Sequence, residues 1–166
     1  MSSSDSARRG FMGLVGWLVV GFIAAFSGGI ASVNAPSFYN ELVQPSWAPP
    51  AGAFGPVWTI LYILMSVAAW LVWRVSGWQH QAGALWLFLV QLVANGLWSW
   101  LFFAWHQGAW AFAEICVLWL LIVATLVAFW RVRPLAGVLM LPYLAWVSFA
   151  VVLCYHVWRA NPQLLG

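Results

Sequence analysis

Charge is almost missing from this sequence. Lysine is absent, six arginines stand against Asp5, Glu41 and Glu114, and charged residues make up 5% of 166 positions. A soluble domain carries about 25%, so there is too little charge to coat a water-facing surface, and a soluble globule is excluded. The arginines are also too dispersed for a nucleic-acid face, which needs a clustered basic patch. Disorder requires low hydrophobicity with high net charge, whereas 65% of these residues are hydrophobic and mean hydropathy is +0.92. Cys116 and Cys154 both lie in apolar runs and read as small packing residues, not as a disulfide framework. No H-E-x-x-H, C-x-x-C or nucleotide-binding glycine pattern occurs, and no Ser/His/acid set is legible. His80, His106 and His156 are scattered without ligand spacing, so no metal site is expected.

What is present is apolar and rich in indole: 15 tryptophans within an 18% aromatic fraction. Uninterrupted apolar runs occupy about 11–33, 55–74, 82–104, 109–130 and 135–158. Each suits a helix crossing roughly 30 Å of hydrocarbon, which needs about 20 residues. Strand-length alternation is lacking, so a membrane barrel is excluded. The breaks 76–81, 106–108 and 131–134 are short and force antiparallel neighbours. The expected architecture is all-α, a five-helix transmembrane bundle forming one domain over 1–166. With five spans, Arg8, Arg9, Arg74, Arg131 and Arg133 share one side against Arg159 on the other. The positive-inside bias then places the N-terminus and the Arg-rich loops on the cytoplasmic side. Ser6 to Met12 loosely resembles a twin-arginine export signal. The run that follows is long for a signal and has no clean cleavage site, so the first helix is expected to be retained.

Segment 34–54 differs from the rest, holding Pro36, Pro45, Pro49 and Pro50 with Phe38, Tyr39, Trp47 and Phe54. A loop this long in so economical a chain suggests a lid, stiffened by proline; an interfacial linker is the alternative. Intramembrane polar groups need partners. Gln91, Asn95 and Ser99 recur at i, i+4, i+8, with Trp98 alongside; Trp58, Tyr62, Met65 and Ala69 form a second stripe, and Tyr143, Trp146 and Ala150 a third. The stripes read equally as the walls of an aromatic cavity or as interhelical packing. Glu114 reads as part of a substrate path or as a group that reaches the interface or bonds a neighbouring helix. Gly21, Ala25 and Gly29 permit close packing against a second copy or within the monomer. Val152, Tyr155 and Arg159 satisfy a loose sterol-contact pattern, which an interfacial aromatic belt also explains.

Taken together, several blocks resemble the tryptophan-rich sensory protein/translocator protein family (TspO/MBR, which includes the peripheral benzodiazepine receptor). They are Pro45-Ser46-Trp47-Ala48-Pro49-Pro50, Gly55 to Tyr62, Gln91 to Asn95 with Trp98, Phe102-Phe103, Pro142 to Trp146, Phe149-Ala150, and Tyr155 to Arg159 with Asn161. They run in order from about residue 38 to 161. The resemblance implies a five-helix bundle, often a homodimer, binding porphyrins such as protoporphyrin IX and haem, and in some members sterols and synthetic ligands. It carries over Trp47, Pro49, Trp58, Tyr62, Asn95, Trp98, Tyr143, Trp146 and Ala150 as ligand-binding positions. Indoles would stack on the macrocycle, and Asn95 and the tyrosine hydroxyls would bond its polar edge. Two departures stand out: Cys154 where an Asn is common, and Gln44 where a basic residue is frequent.

The expected function is a bacterial membrane receptor or carrier for porphyrin, with a role in tetrapyrrole or oxidative-stress regulation and no required cofactor. The alternatives are an enzyme degrading porphyrin oxidatively through Trp58 and Trp146, and a transporter of tetrapyrrole or sterol. No acid/base apparatus supports turnover, and no inverted repeat supports transport.

Overall fold

The computed structural model describes residues 3–166, with the side chains of 3–7 and 9 outside the description. Asp5 and Arg9, counted in the charge balance, therefore lie outside the described side chains. The described residues form helices only: α1 (Ser3–Ala31), α2 (Ala35–Glu41), α3 (Phe54–Ser99), α4 (Gly108–Val132), α5 (Pro134–Ala160) and the short α6 (Pro162–Leu165). A single 3-10 turn, Ala51–Ala53, leads into α3, and a π-helical turn, Trp100–Ala104, ends it. Four helical stretches are long and apolar enough to cross a membrane: Gly10–Ala31, Ala51–Ala104, Gly108–Val132 and Pro134–Ala160.

The second of these carries two of the expected apolar runs. An unbroken helix of 54 residues would be about 80 Å long, well beyond a bilayer's hydrocarbon. It is not straight: Ser76, Gly77 and Gln81 leave helical geometry. The halves lie side by side, because the Tyr62 hydroxyl donates to Asn95 Oδ1, 33 residues onward. Gly77 makes the reversal with φ +63 and ψ −162, a region open essentially to glycine alone. No atom stands within 4 Å of a Cβ built there, so the restriction is conformational, not steric. Gly77→Ala should lower stability by about 1–3 kcal/mol, read as a drop in the unfolding transition in detergent or bicelles. An unchanged transition would mean the reversal is made elsewhere.

Lipid tails are as apolar as leucine, so these helices associate through close packing and hydrogen bonds. Along α1, a Cβ at Gly13 would lie 2.2 Å from the Trp73 ring, and one at Gly21 would lie 2.1 Å from Ser66 Oγ. Gly21 is thus spent on packing α1 against α3 within the chain. Met65, Ala69, Val72, Leu85, Phe88, Ile122, Phe129, Met140 and Tyr143 fill the centre of the bundle. Trp119 Nε1 donates to Ser148 Oγ at 2.8 Å and ties α4 to α5.

The segment expected as a lid loop contains a helix, α2. Its proline, Pro36, falls in the first turn, where a missing N–H removes no helical bond. The segment is fastened at several points. Asn161 Oδ1 accepts from the Val43 N–H at 2.8 Å, and Asn161 Nδ2 donates to the Val43 carbonyl at 3.0 Å. The Tyr39 hydroxyl donates to the Pro49 carbonyl at 3.2 Å. Burial pushes the Tyr39 phenol above its ordinary pKa. Phe38 stacks on His106 with centroids 4.0 Å apart, and Trp47 meets Phe149 and His156 edge-on at 5.7 and 5.5 Å.

Candidate functional site

Beneath the fastened segment lies a cavity of about 380 Å³. Trp58 and Tyr62 reach it from the first half of α3, Asn95 and Trp98 from the second half, and Trp146 and Ala150 from α5. Tyr39 and Phe54 roof it, and Ile115 and Leu118 of α4 close the back. The wall is thus mostly indole and hydrocarbon, with few polar groups. Such a space suits a flat apolar ligand with a polar edge.

The polar groups form one directed chain across the bundle. Tyr62 donates to Asn95 Oδ1, and Asn95 Nδ2 donates to the Tyr143 hydroxyl at 3.0 Å. That hydroxyl donates in turn to Gln91 Oε1 at 2.9 Å. Each side chain holds the next in one rotamer, so Asn95 arrives at the cavity already oriented. Gln91 Nε2 and Trp98 Nε1 are enclosed and bond no described group.

Six of the nine residues carried over from the family resemblance share this cavity: Trp58, Tyr62, Asn95, Trp98, Trp146 and Ala150. Three do not line it. Tyr143 is fully buried behind Asn95, its hydroxyl engaged at both ends, so it orients the wall. Pro49 supplies the carbonyl that holds Tyr39. Trp47 packs outside, on Phe149 and His156. Of the C-terminal pattern, Val152 and Tyr155 are exposed on α5, with Tyr155 against Phe112 at 5.3 Å, and Arg159 lies over the Trp158 ring at 5.8 Å. Glu114 is not at the surface: both carboxyl oxygens are enclosed and bonded to no described group. Cys154 is buried, and both cysteines are free thiols.

Sequence reasoning missed the contribution of α1. Phe22, Ala25 and Gly29 line the cavity at i, i+3, i+7, joined by Gly28. The small-residue spacing was the available signal, and it read as helix packing. Gly21 packs, whereas Ala25 and Gly29 leave room.

These features define a class: an all-helical integral membrane protein with an indole-walled cavity under a tethered segment. The sequence profile of the TspO/MBR family matches residues 14–159. The chain is 40% identical over 147 residues to Protein CrtK of Rhodobacter capsulatus, covering 85% of this chain and 90% of that one. It is 42% identical over 128 residues to the tryptophan-rich protein TspO of Chlorobaculum tepidum, 75% and 80% of the two chains. Identity to the human translocator protein is 40% over 126 residues, 75% of each chain. The chain belongs to the TspO/MBR family.

Proposed function

We propose that this protein is a membrane receptor or carrier for porphyrins such as protoporphyrin IX and haem, held in the cavity under residues 34–54. The carrying observation is the cavity wall: Trp58, Trp98 and Trp146 converge on one space beside Asn95, whose amide the tyrosine chain orients. Indole faces suit a macrocycle, and a prealigned amide suits its polar edge. Sterols are a second ligand class in this reading, and a homodimer is its assembly.

The chain crosses the bilayer five times in this reading, α3 crossing twice around Gly77. Trp70 Nε1 donates to the Gly10 carbonyl at 2.8 Å, and Arg74 lies over Trp70 at 4.8 Å. The N-terminal end of α1 is therefore beside Arg74, opposite the end where Val43 meets Asn161. Arginine at that end supports a cytoplasmic N-terminus and a lid on the outer side of a bacterial membrane.

Protoporphyrin IX titrated into the purified protein in nanodiscs should quench tryptophan fluorescence saturably. Trp146→Ala should weaken that affinity about tenfold, since a buried aromatic contact is worth on the order of 1–3 kcal/mol. Unchanged affinity in a folded variant would mean the indole stripe is packing only. Illuminating the bound sample distinguishes binding from turnover: catalytic loss of porphyrin that disappears in Trp58→Phe or Trp146→Phe would replace the receptor reading with an oxidative enzyme.

A further inference from the structure

The cavity is roofed at its end and open at its side. Its roof is tied down by Asn161 to Val43 and by Tyr39 to Pro49. The exposed lining residues are Phe22 and Gly29 on α1, Pro36 at the start of α2, and Gly55 and Thr59 on α3. Four of the five lie on α1 and on the first half of α3, the two helices that flank the opening, and Pro36 begins the roof above them. Along α1 the opening runs from Phe22 to Gly29, about 10 Å at 1.5 Å per residue. That places it within the membrane-crossing stretch Gly10–Ala31. The surface around it is hydrocarbon: Phe26 is 71% exposed, Ile30 49% and Ile60 57%. Water has little to solvate there, so the opening faces lipid.

We propose that the α1/α3 seam is the ligand's entrance, and that the ligand is a flat amphiphile arriving from within the bilayer, not from water through the lid. The inference rests on the porphyrin reading above. Small residues keep the doorway clear. A Cβ at Gly29 would meet no atom within 4 Å, so a large side chain there has room to stand in the opening without displacing the helices. Phe22 is the bulky lining residue on the α1 side, and Thr59 lines the cavity from α3.

The test is stopped-flow tryptophan quenching by protoporphyrin IX, with the full chain in phosphatidylcholine vesicles. Gly29→Trp should slow association and dissociation together, each by fivefold or more. Slower dissociation is the decisive reading, because merely losing a contact speeds release. Thr59→Trp should do the same from the other rim, and it decides the matter if Gly29→Trp fails to fold. Association should also follow the porphyrin mole fraction in the bilayer and not its aqueous concentration. Folded variants that exchange porphyrin at the unmodified rate, or release it faster, overturn the entrance while leaving the receptor reading in place. An unmodified chain that shows no quenching overturns both.

Discussion

Asn95→Leu should weaken protoporphyrin binding by at least tenfold and lower stability by about 1–3 kcal/mol. The residue is nearly isosteric with leucine, so the loss is one of hydrogen bonding and not of volume. Asn95 accepts from Tyr62 and donates to Tyr143, whose hydroxyl continues to Gln91. An interhelical hydrogen bond in a membrane protein is worth about 0.6 kcal/mol on average and up to about 1.7. Two are lost here, and the buried hydroxyls of Tyr62 and Tyr143 each lose a partner. The Tyr62→Phe change should recover part of the cost in the double variant, because removing both partners removes the orphan. Equilibrium unfolding in bicelles reads the stability term, and fluorescence quenching reads the affinity. If Asn95→Leu is as stable as the unmodified chain, the chain of hydrogen bonds does not orient the wall.

The difference between Asn95 and Tyr143 shows what the sequence could convey about the site. Tyr143, Trp146 and Ala150 follow one helical spacing, yet 143 and 146 lie about 60° apart around the helix. That angle is enough to turn the indole into the cavity and the phenol toward Gln91 on α3. Periodicity identifies a face; only the positions of neighbouring helices divide it between ligand and packing. The same limit applies to α1, where Gly21 and Gly29 are indistinguishable as small residues. One receives Ser66 and the other faces open space. The reversal in α3 was legible, because Ser76-Gly77 interrupts an apolar run where a chain of this length has to turn. Helix α2 was not: its proline reads as a breaker unless it is known to sit in a first turn. The tether of the lid was legible only as the family position Asn161, without its partner.

Asn161→Ala should release that tether. The side chain is buried and makes three hydrogen bonds, all to backbone: it accepts from the Val43 N–H and donates to the carbonyls of Val43 and Val157. Two of them reproduce on Val43 the pairing a neighbouring strand would give, across 118 residues of sequence. A net hydrogen bond is worth about 0.5–1.5 kcal/mol, and two of the three hold Val43, so the lid end should lose about 1–3 kcal/mol against local opening. Since 1.4 kcal/mol is a factor of ten, exchange of the Val43 amide should accelerate on the order of 5- to 100-fold. Amides in the centre of α4, which Asn161 does not touch, should keep their protection. Asn161→Asp separates the roles further: its carboxylate still accepts from Val43 but donates to neither carbonyl, so its exchange should fall between the two. Equal exchange in all three chains would mean that the stack of Phe38 on His106 and the contacts of Trp47 hold the segment without Asn161. Graded exchange would instead identify one asparagine at the end of α5 as the residue that keeps the roof over the cavity.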